Sequence, residues 1–335
     1  MNKPPADYGA DVIKIEPPGG DFARKLGPFR DDTPDPEASG TFLYFNTNKR
    51  SLVLDLERRK LPEYSTGWSS APMSWWKAIG RVASGSVLAG NGYTDCARDI
   101  SLSISNFGQE SPYRDYLGTE LTLYGFAGEM YTMGVAEREP VKMFGTAALV
   151  ESGAAAAGAI MSSLFVTRRQ GIGQHVDFSI TDSQFGGADR RHVSATAFAF
   201  SGRRTTRTPI DARGILRGVY PCADGTRSCH GAATGWTGSA RKPGNPEWLA
   251  DPKWQEPGAL LDPGNGEEFE GNFYPWLMAH TKQEIWEKAR EARVLCGPLM
   301  TVDELVNDRH FRERGFWEMW NTPWPGHSRC QGAPS

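Results

Sequence analysis

SGAAAAGAIMSSLFVTRRQGIGQHVDFSI, residues 152–180, is the stretch whose reading decides the fold. Its first part, 152–169, is rich in Ala and Leu, contains no proline, ends on Arg168 and Arg169 and stops at Gly171, as a helix C-terminus does. From Gln174 to Ile180 the pattern changes to alternation, with Val176, Phe178 and Ile180 on one face of a strand. A helix joined to a strand by the short Gly-Ile-Gly turn is half of a βαβ unit, so the chain reads as α/β with parallel strands.

Outward from there, Asp11 to Glu16 is an apolar run of strand length closed at once by Pro17-Pro18-Gly19-Gly20. Ser51–Leu56 and Ser101–Ser105 read as further strands, spaced widely enough for helical crossovers between parallel neighbours. Residues 202–275 change character, with many Gly, Pro, Arg and Trp, which marks a linker and a smaller domain. Thr281-x-x-Glu284 and Thr301-x-x-Glu304 are capping boxes that open later helices. The expected division is 1–200 for a large domain, 201–215 for a linker, 216–291 for a small domain, and 292–335 for a return to the large one. Residues 61–96 show no sustained helix or strand period.

Of 335 residues 39% are hydrophobic, enough to bury a core in one large domain or two smaller ones. A net charge of -3 supplies no basic surplus for a phosphate backbone, so nucleic acid is not expected as a partner. No apolar run near the ~20 residues of a spanning helix is legible, nor a signal peptide, so no membrane association and a cytoplasmic location are expected. The five cysteines form no CxxC pair and read as reduced thiols. No metal is expected, because Cys222, Cys229 and His230 read as ordinary loop or core residues. The chain carries no GxSxG, HExxH, GxxxxGK[ST] or strand-linked GxGxxG motif, and His175 on a polar strand face reads as structural.

Several stretches together resemble the class III coenzyme A transferases, the family of formyl-CoA and carnitine-CoA transferases and α-methylacyl-CoA racemases. They are GADVIKIEP (9–17), NTNKRSLVLD (46–55), SISNFGQ (103–109), GIGQHVD (171–177), GVYPCADG (218–225) and CGP (296–298), in matching order and spacing. The resemblance implies a Rossmann-like large domain with an inserted smaller domain, in an interlocked homodimer. It implies coenzyme A as a substrate, with acyl-CoA and a carboxylic acid as partners and no permanently bound cofactor. The family's opening strand with its Ala-Gly-Pro loop and its segment beyond Gly326 have no counterpart here, so the chain reads as truncated at both ends.

In the family reaction a carboxylate attacks the thioester to form a mixed anhydride, and the released thiolate then captures the enzyme acyl group. Counting back without gaps from Gln174 lands the family's catalytic aspartate on Leu149, which cannot do this chemistry. Glu151 is the nearest carboxylate in sequence, but two residues on a helix is about 200° of rotation. It is either a re-registered nucleophile or an acid favoured by the helix dipole. Glu120 falls where the family carries a site acid, and reads equally as a surface acid. Thr119 stands where racemases carry a catalytic histidine and argues against a racemase or epimerase. Lys49 and Arg50 match a stretch close to bound coenzyme, where cations suit its phosphates, or serve a solvated strand start. Leu54 matches the adenine region or is core, and Asn106, Phe107 and Gly108 form a ligand-binding loop after a parallel strand. The leading reading is a coenzyme A transferase, intact or impaired; the alternatives are a catalytically silent coenzyme-binding member and an acyl-CoA racemase.

Residues 61–96 fall where the resemblance implies a strand ending near Val-Val-Glu-Asn/Ser-Phe/Tyr-Arg-Pro-Gly, but the chain reads Ser74-Trp-Trp-Lys-Ala-Ile-Gly-Arg-Val82. Because tryptophan has the single codon TGG, a shifted frame across Trp75, Trp76 and Lys77 forces Val-Glu. The segment is therefore expected to be an out-of-frame translation that packs poorly, a divergent loop being the alternative. Sequencing the gene is expected to show Arg-Pro-Gly in the other frame across the codons of Trp75–Val82; codons that exclude it refute the shift.

Overall fold

The structure, a computed structural model, describes residues 3–55, 74–78, 100–185, 190–209, 215, 217–230, 247–256, 258–259, 262–292, 294–321 and 327–331. The chain divides into two compact units, 1–133 with 140–206 and 134–139 with 207–334.

In the first unit β1 (Val12–Glu16) and β2 (Lys49–Val53) pair in parallel, with Ile13 opposite Arg50 and Ile15 opposite Leu52. The helix α1 (Gly40–Asn46) precedes β2 and starts on Ser39, whose hydroxyl accepts the Phe42 N–H. A second parallel sheet has the order β3 (Ser74–Ala78), β4 (Ile100–Ser105), β5 (Gln174–Ser179). β3 lies inside the stretch expected to lack strand periodicity. Sheet pairing uses backbone groups that every non-proline residue carries, so Ser-Trp-Trp-Lys-Ala can pair with β4 without an apolar pattern. The rest of 61–96 lies outside the described residues.

The helices that follow in the first unit include α2 (Glu120–Phe126), α3 (Ala147–Gln170), α4 (Ile180–Phe185) and α5 (Arg190–Ser201), with a single turn at Glu129–Thr132 after α2. α3 begins at Ala147 rather than Ser152 and ends on Gly171, whose φ of 71° suits the left-handed cap only glycine adopts readily. It packs on β4 and β5, with Ala156 and Ile160 against Ile100, Leu102 and Ile104 of the central strand. Its buried face is mostly small (Ala148, Ser152, Gly153, Ala157, Ser163), which lets it lie close to the sheet, while Leu149, Val150, Met161 and Phe165 stay exposed. Contrary to the sequence expectation, its length and mean hydropathy of 1.5 also meet the size of a membrane span. Its packing on β4 and β5 nevertheless makes it the core helix of this layer.

The second unit holds the antiparallel sheet β6 (Arg217–Cys222), β7 (Gly225–His230), β8 (Cys296–Pro298). α6 (Gly266–Met278) and α7 (Lys282–Glu291) supply Phe269, Phe273, Leu277, Ile285 and Ala289 to its core, around Trp254 and Tyr220. Residues 292–334, expected with the large domain, group here instead, because Cys296 to Pro298 close the sheet on β7. Thr281 N–H donates to Glu284 and Thr301 N–H to Glu304, as the capping boxes require. Glu304 also binds the Lys282 ammonium at 2.6 Å, while Lys282 N–H donates to Asp224 at 2.7 Å, tying α7 to the β6–β7 turn.

One buried ion pair organises the loop that follows β1. Glu16 is 2% exposed and takes Arg24 in a two-point contact, Nε to Oε2 at 2.7 Å and Nη2 to Oε1 at 3.1 Å. Asp21 N–H and the Ser51 hydroxyl complete its partners, and the Arg24 guanidinium lies 3.8 Å from the centroid of Phe42. The Arg24 hydrogen bond, with those of Asp21 and Ser51, holds the Glu16 carboxyl at about 2 against the opposing effect of burial. A depressed carboxylate contributes stability above its unfolded pKa and loses it as pH falls through the folded one. Glu16→Gln is therefore expected to cost about 3 kcal/mol at neutral pH, with the difference from wild type shrinking as pH falls from about 4.5 towards 2. Urea unfolding across that window measures it; a pH-independent difference contradicts the assignment.

Candidate functional site

β4 ends in the loop Asn106–Gln109, at the carboxyl end of a parallel strand, where ligands bind in such sheets. The loop is held from two elements. The Asn106 carbonyl accepts the Thr181 N–H at 3.1 Å and its hydroxyl at 2.8 Å, both from α4. Gln109 N–H donates to Asp177 Oδ2 at 2.8 Å, from β5. Gly108 between them has φ +82°, a left-handed conformation that favours glycine. Phe107 sits edge-on to Phe126 of α2 at 5.5 Å and to Tyr113 at 6.0 Å. Gly118, just before α2, leaves room for the Asn106 amide and Leu123, which lie 3.2 and 2.8 Å from where its Cβ would be.

The same two helices grip the first turn of α3. Thr146 at its N-cap offers no side-chain hydrogen bond. Glu120 of α2 approaches instead, with Oε1 3.4 Å from the Ala148 N–H and Oε2 2.7 Å from the Lys142 ammonium. The Ala148 carbonyl accepts from buried Gln184 of α4 at 2.6 Å and from Ser152 at 3.0 Å. Gln184 also bonds Ser152 at 2.8 Å, as does Ser183. Leu149 is thus carried on a fixed turn and is itself 37% exposed. Glu151 is exposed as well, and two positions along the helix turns it away from Leu149 by about 200°.

The structure therefore brings Asn106, Phe107, Gly108, Glu120 and position 149 into one assembly around α2 and α4, and leaves Glu151 on another face of the helix. Thr119 is the cap of α2, accepting the Thr122 N–H, which is a structural role. Lys49 and Arg50 start β2 of the other sheet, Leu54 follows that strand, and all three have partners nearby. The Lys49 ammonium donates to the Phe45 carbonyl at 2.7 Å and to Asn46 at 3.1 Å. Burial first, and then the charge of Lys14, lower its pKa to about 8. Arg50 forms an exposed pair with Asp11 at 2.6 Å, and Leu54 N–H donates to the Glu16 carbonyl at 2.9 Å. Sequence reasoning missed Asp177 and Lys142. Asp177 left a faint signal as a carboxylate on the polar face of a strand beside a Gly-Gln loop; Lys142 left none, since a lone lysine in a loop reads as solvated.

Comparison with known proteins adds a second line of argument. The family model described as CoA-transferase family III matches residues 6–63 and 98–335, and the unmatched 64–97 overlaps the stretch read as out of frame. The chain is 27% identical over 330 residues to succinyl-CoA:(R)-benzylsuccinate CoA-transferase subunit BbsE of Thauera aromatica, covering 93% of this chain and 78% of that protein. It is 26% identical over 321 residues to formyl-CoA:oxalate CoA-transferase of Streptomyces avermitilis, covering 90% and 76%. In fold it resembles a CAIB/BAIF family protein from Brucella suis, with a TM-score of 0.75 at 21% identity over 100% of this chain and 91% of that one. This supports a mixed α/β fold of the same kind.

Asp177→Ala is expected to release the 106–109 loop, raising amide exchange at Gln109 about tenfold, as loss of a charge-assisted hydrogen bond would. Exchange at Gln109 unchanged from wild type contradicts this role.

Proposed function

Because the chain belongs to CoA-transferase family III, we propose that it transfers coenzyme A from an acyl-CoA to a carboxylic acid at the first turn of α3. Coenzyme A is a substrate in this reading, not a resident group. The observation that carries it is the grip on Ala148: its N–H faces Glu120 and its carbonyl accepts from Gln184 and Ser152, so the next residue is presented in one orientation. A carboxylate in that turn would gain from the helix dipole and would stay accessible to a thioester. The related proteins are named as transferases with different acids, so the acid taken here stays open. A racemase is not favoured, since Thr119 has no basic group and is committed to capping α2.

The transfer balances as follows. A carboxylate oxygen attacks the thioester carbon, the C–S bond breaks, and coenzyme A leaves as thiolate, giving a mixed anhydride. The thiolate then attacks the carboxylate's own carbon, freeing the donor acid and leaving a thioester to the protein. An acceptor carboxylate repeats both steps in reverse order. Leu149 cannot take the first step. Glu120 is the site's own acid, and Glu151 faces elsewhere, so the chain as it stands transfers coenzyme A weakly or not at all on this reading. The silent-member alternative draws support from the same leucine and from the relative whose name calls it a subunit.

Four further expectations belong to this reading. The first unit serves as the Rossmann-like large domain into which the smaller one is inserted. Two copies interlock, burying apolar side chains such as Met161, Phe165 and Phe200, which are 53%, 61% and 88% exposed in one chain. The enzyme works in the cytoplasm, with Lys49, Arg50 and Leu54 meeting the coenzyme.

Leu149→Asp is expected to raise coenzyme A transfer from succinyl-CoA to an added carboxylic acid by about 100-fold or more and to yield an enzyme–CoA adduct visible by mass spectrometry. Glu151→Gln should change the rate less than about twofold. A robust wild-type activity abolished by Glu151→Gln would make Glu151 the nucleophile and overturn the proposal.

A further inference from the structure

Lys142 lies in the loop between α2 and α3, and its ammonium has its three donors matched by three acceptors: Glu120 Oε2 at 2.7 Å, the Met143 carbonyl at 2.8 Å and the Gly145 carbonyl at 2.6 Å. A solvated surface lysine would not close on two carbonyls of its own loop, and exposed ion pairs hold little. This pair is better shielded, with side chains 24% and 12% exposed.

The geometry shows what the contact does. α3 has 24 residues and no local cap, so the positive end of its dipole needs an acceptor from elsewhere. Glu120 supplies one, but its 3.4 Å contact with Ala148 N–H is long beside the usual ~2.9–3.0 Å and is too weak to fix a carboxylate unaided. The other carboxylate oxygen is fixed by Lys142. The two carbonyl contacts wrap residues 143–145 around the ammonium, and so set the path by which the chain reaches Thr146 and turns into the helix. The positive charge also offsets Glu120 beside a site that, on the reading above, must admit carboxylate substrates.

We propose that Lys142 is a positioning residue, clamping the Glu120 carboxylate and the 143–145 turn against the first turn of α3 and thereby setting how position 149 meets its substrate. The mechanical part stands on geometry alone; the catalytic consequence rests on the proposed transfer site.

The test compares Lys142→Met, Lys142→Arg, Glu120→Gln and the double variant Lys142→Met/Glu120→Gln by hydrogen exchange followed by mass spectrometry. Lys142→Met should speed exchange in residues 142–152 by about tenfold or more, with the rest of the first unit within about twofold of wild type. Arginine should restore protection, Glu120→Gln should copy the loss, and the double variant should add nothing, as members of one contact behave. Kinetics in the Leu149→Asp protein give the second readout: Lys142→Met should lower kcat about tenfold with KM for succinyl-CoA within about twofold. Unchanged exchange at 142–152, a rise spread over the whole unit, or additive effects of the two single changes overturns the inference. The expected exchange pattern with an inactive Leu149→Asp protein supports Lys142 as the clamp and sinks the assignment of position 149.

Discussion

Both backbone polar groups of one residue, Ala148, are engaged from outside its own helix: the N–H faces Glu120 from α2, and the C=O accepts from Gln184 on α4. A helix N-terminus leaves its first amides without intrahelical partners, and a 24-residue helix with an uncapped end would fray there. Holding that end from two sides joins α2, α3 and α4 into one cradle. The Asn106–Gln109 loop hangs on the same cradle, through Thr181 on α4 and Phe126 on α2. The 106–109 loop and the first turn of α3 are therefore positioned by one set of contacts.

Elements set by local pattern were legible before the structure. Alternation in Gln174–Ile180, the glycine stop at 171 and the Thr-x-x-Glu boxes at 281 and 301 each depend on residues close in sequence, and each lies where the pattern puts it. The start of α3 was misread because its cap is supplied by Glu120, 28 positions upstream, and no local signal marks a cap of that kind. β3 carries no sequence signal for a related reason, since its pairing with β4 runs through the backbone. The grouping of 292–334 with the second unit rests on a pairing of β7 with β8 that involves residues about seventy apart, beyond the reach of periodicity.

The site divided along the same line. Asn106, Phe107 and Gly108 follow a strand and could be found by position. Glu120 and Glu151 could not be separated from the sequence, because both are acids near a helix start; only geometry shows that one faces Ala148 and the other faces away. Asp177 and Lys142 act through a backbone N–H and through carbonyls, contacts that leave little trace in residue spacing.

The exposure of Leu149 has an evolutionary consequence. The hydrogen bonds of the cradle go to the backbone of residue 148 and to Ser152 and none to the Leu149 side chain, which is 37% exposed, so exchanging that side chain leaves those contacts in place and costs about 1 kcal/mol, the usual size for a single substitution. Chemistry at this position is then nearly uncoupled from folding. A lineage can lose its nucleophile by drift and keep an intact, binding-competent scaffold, and a single codon change can return the nucleophile without any repair elsewhere. Silent and active members of such a family would be neighbours in sequence space, and retention of the fold would say nothing about retention of turnover.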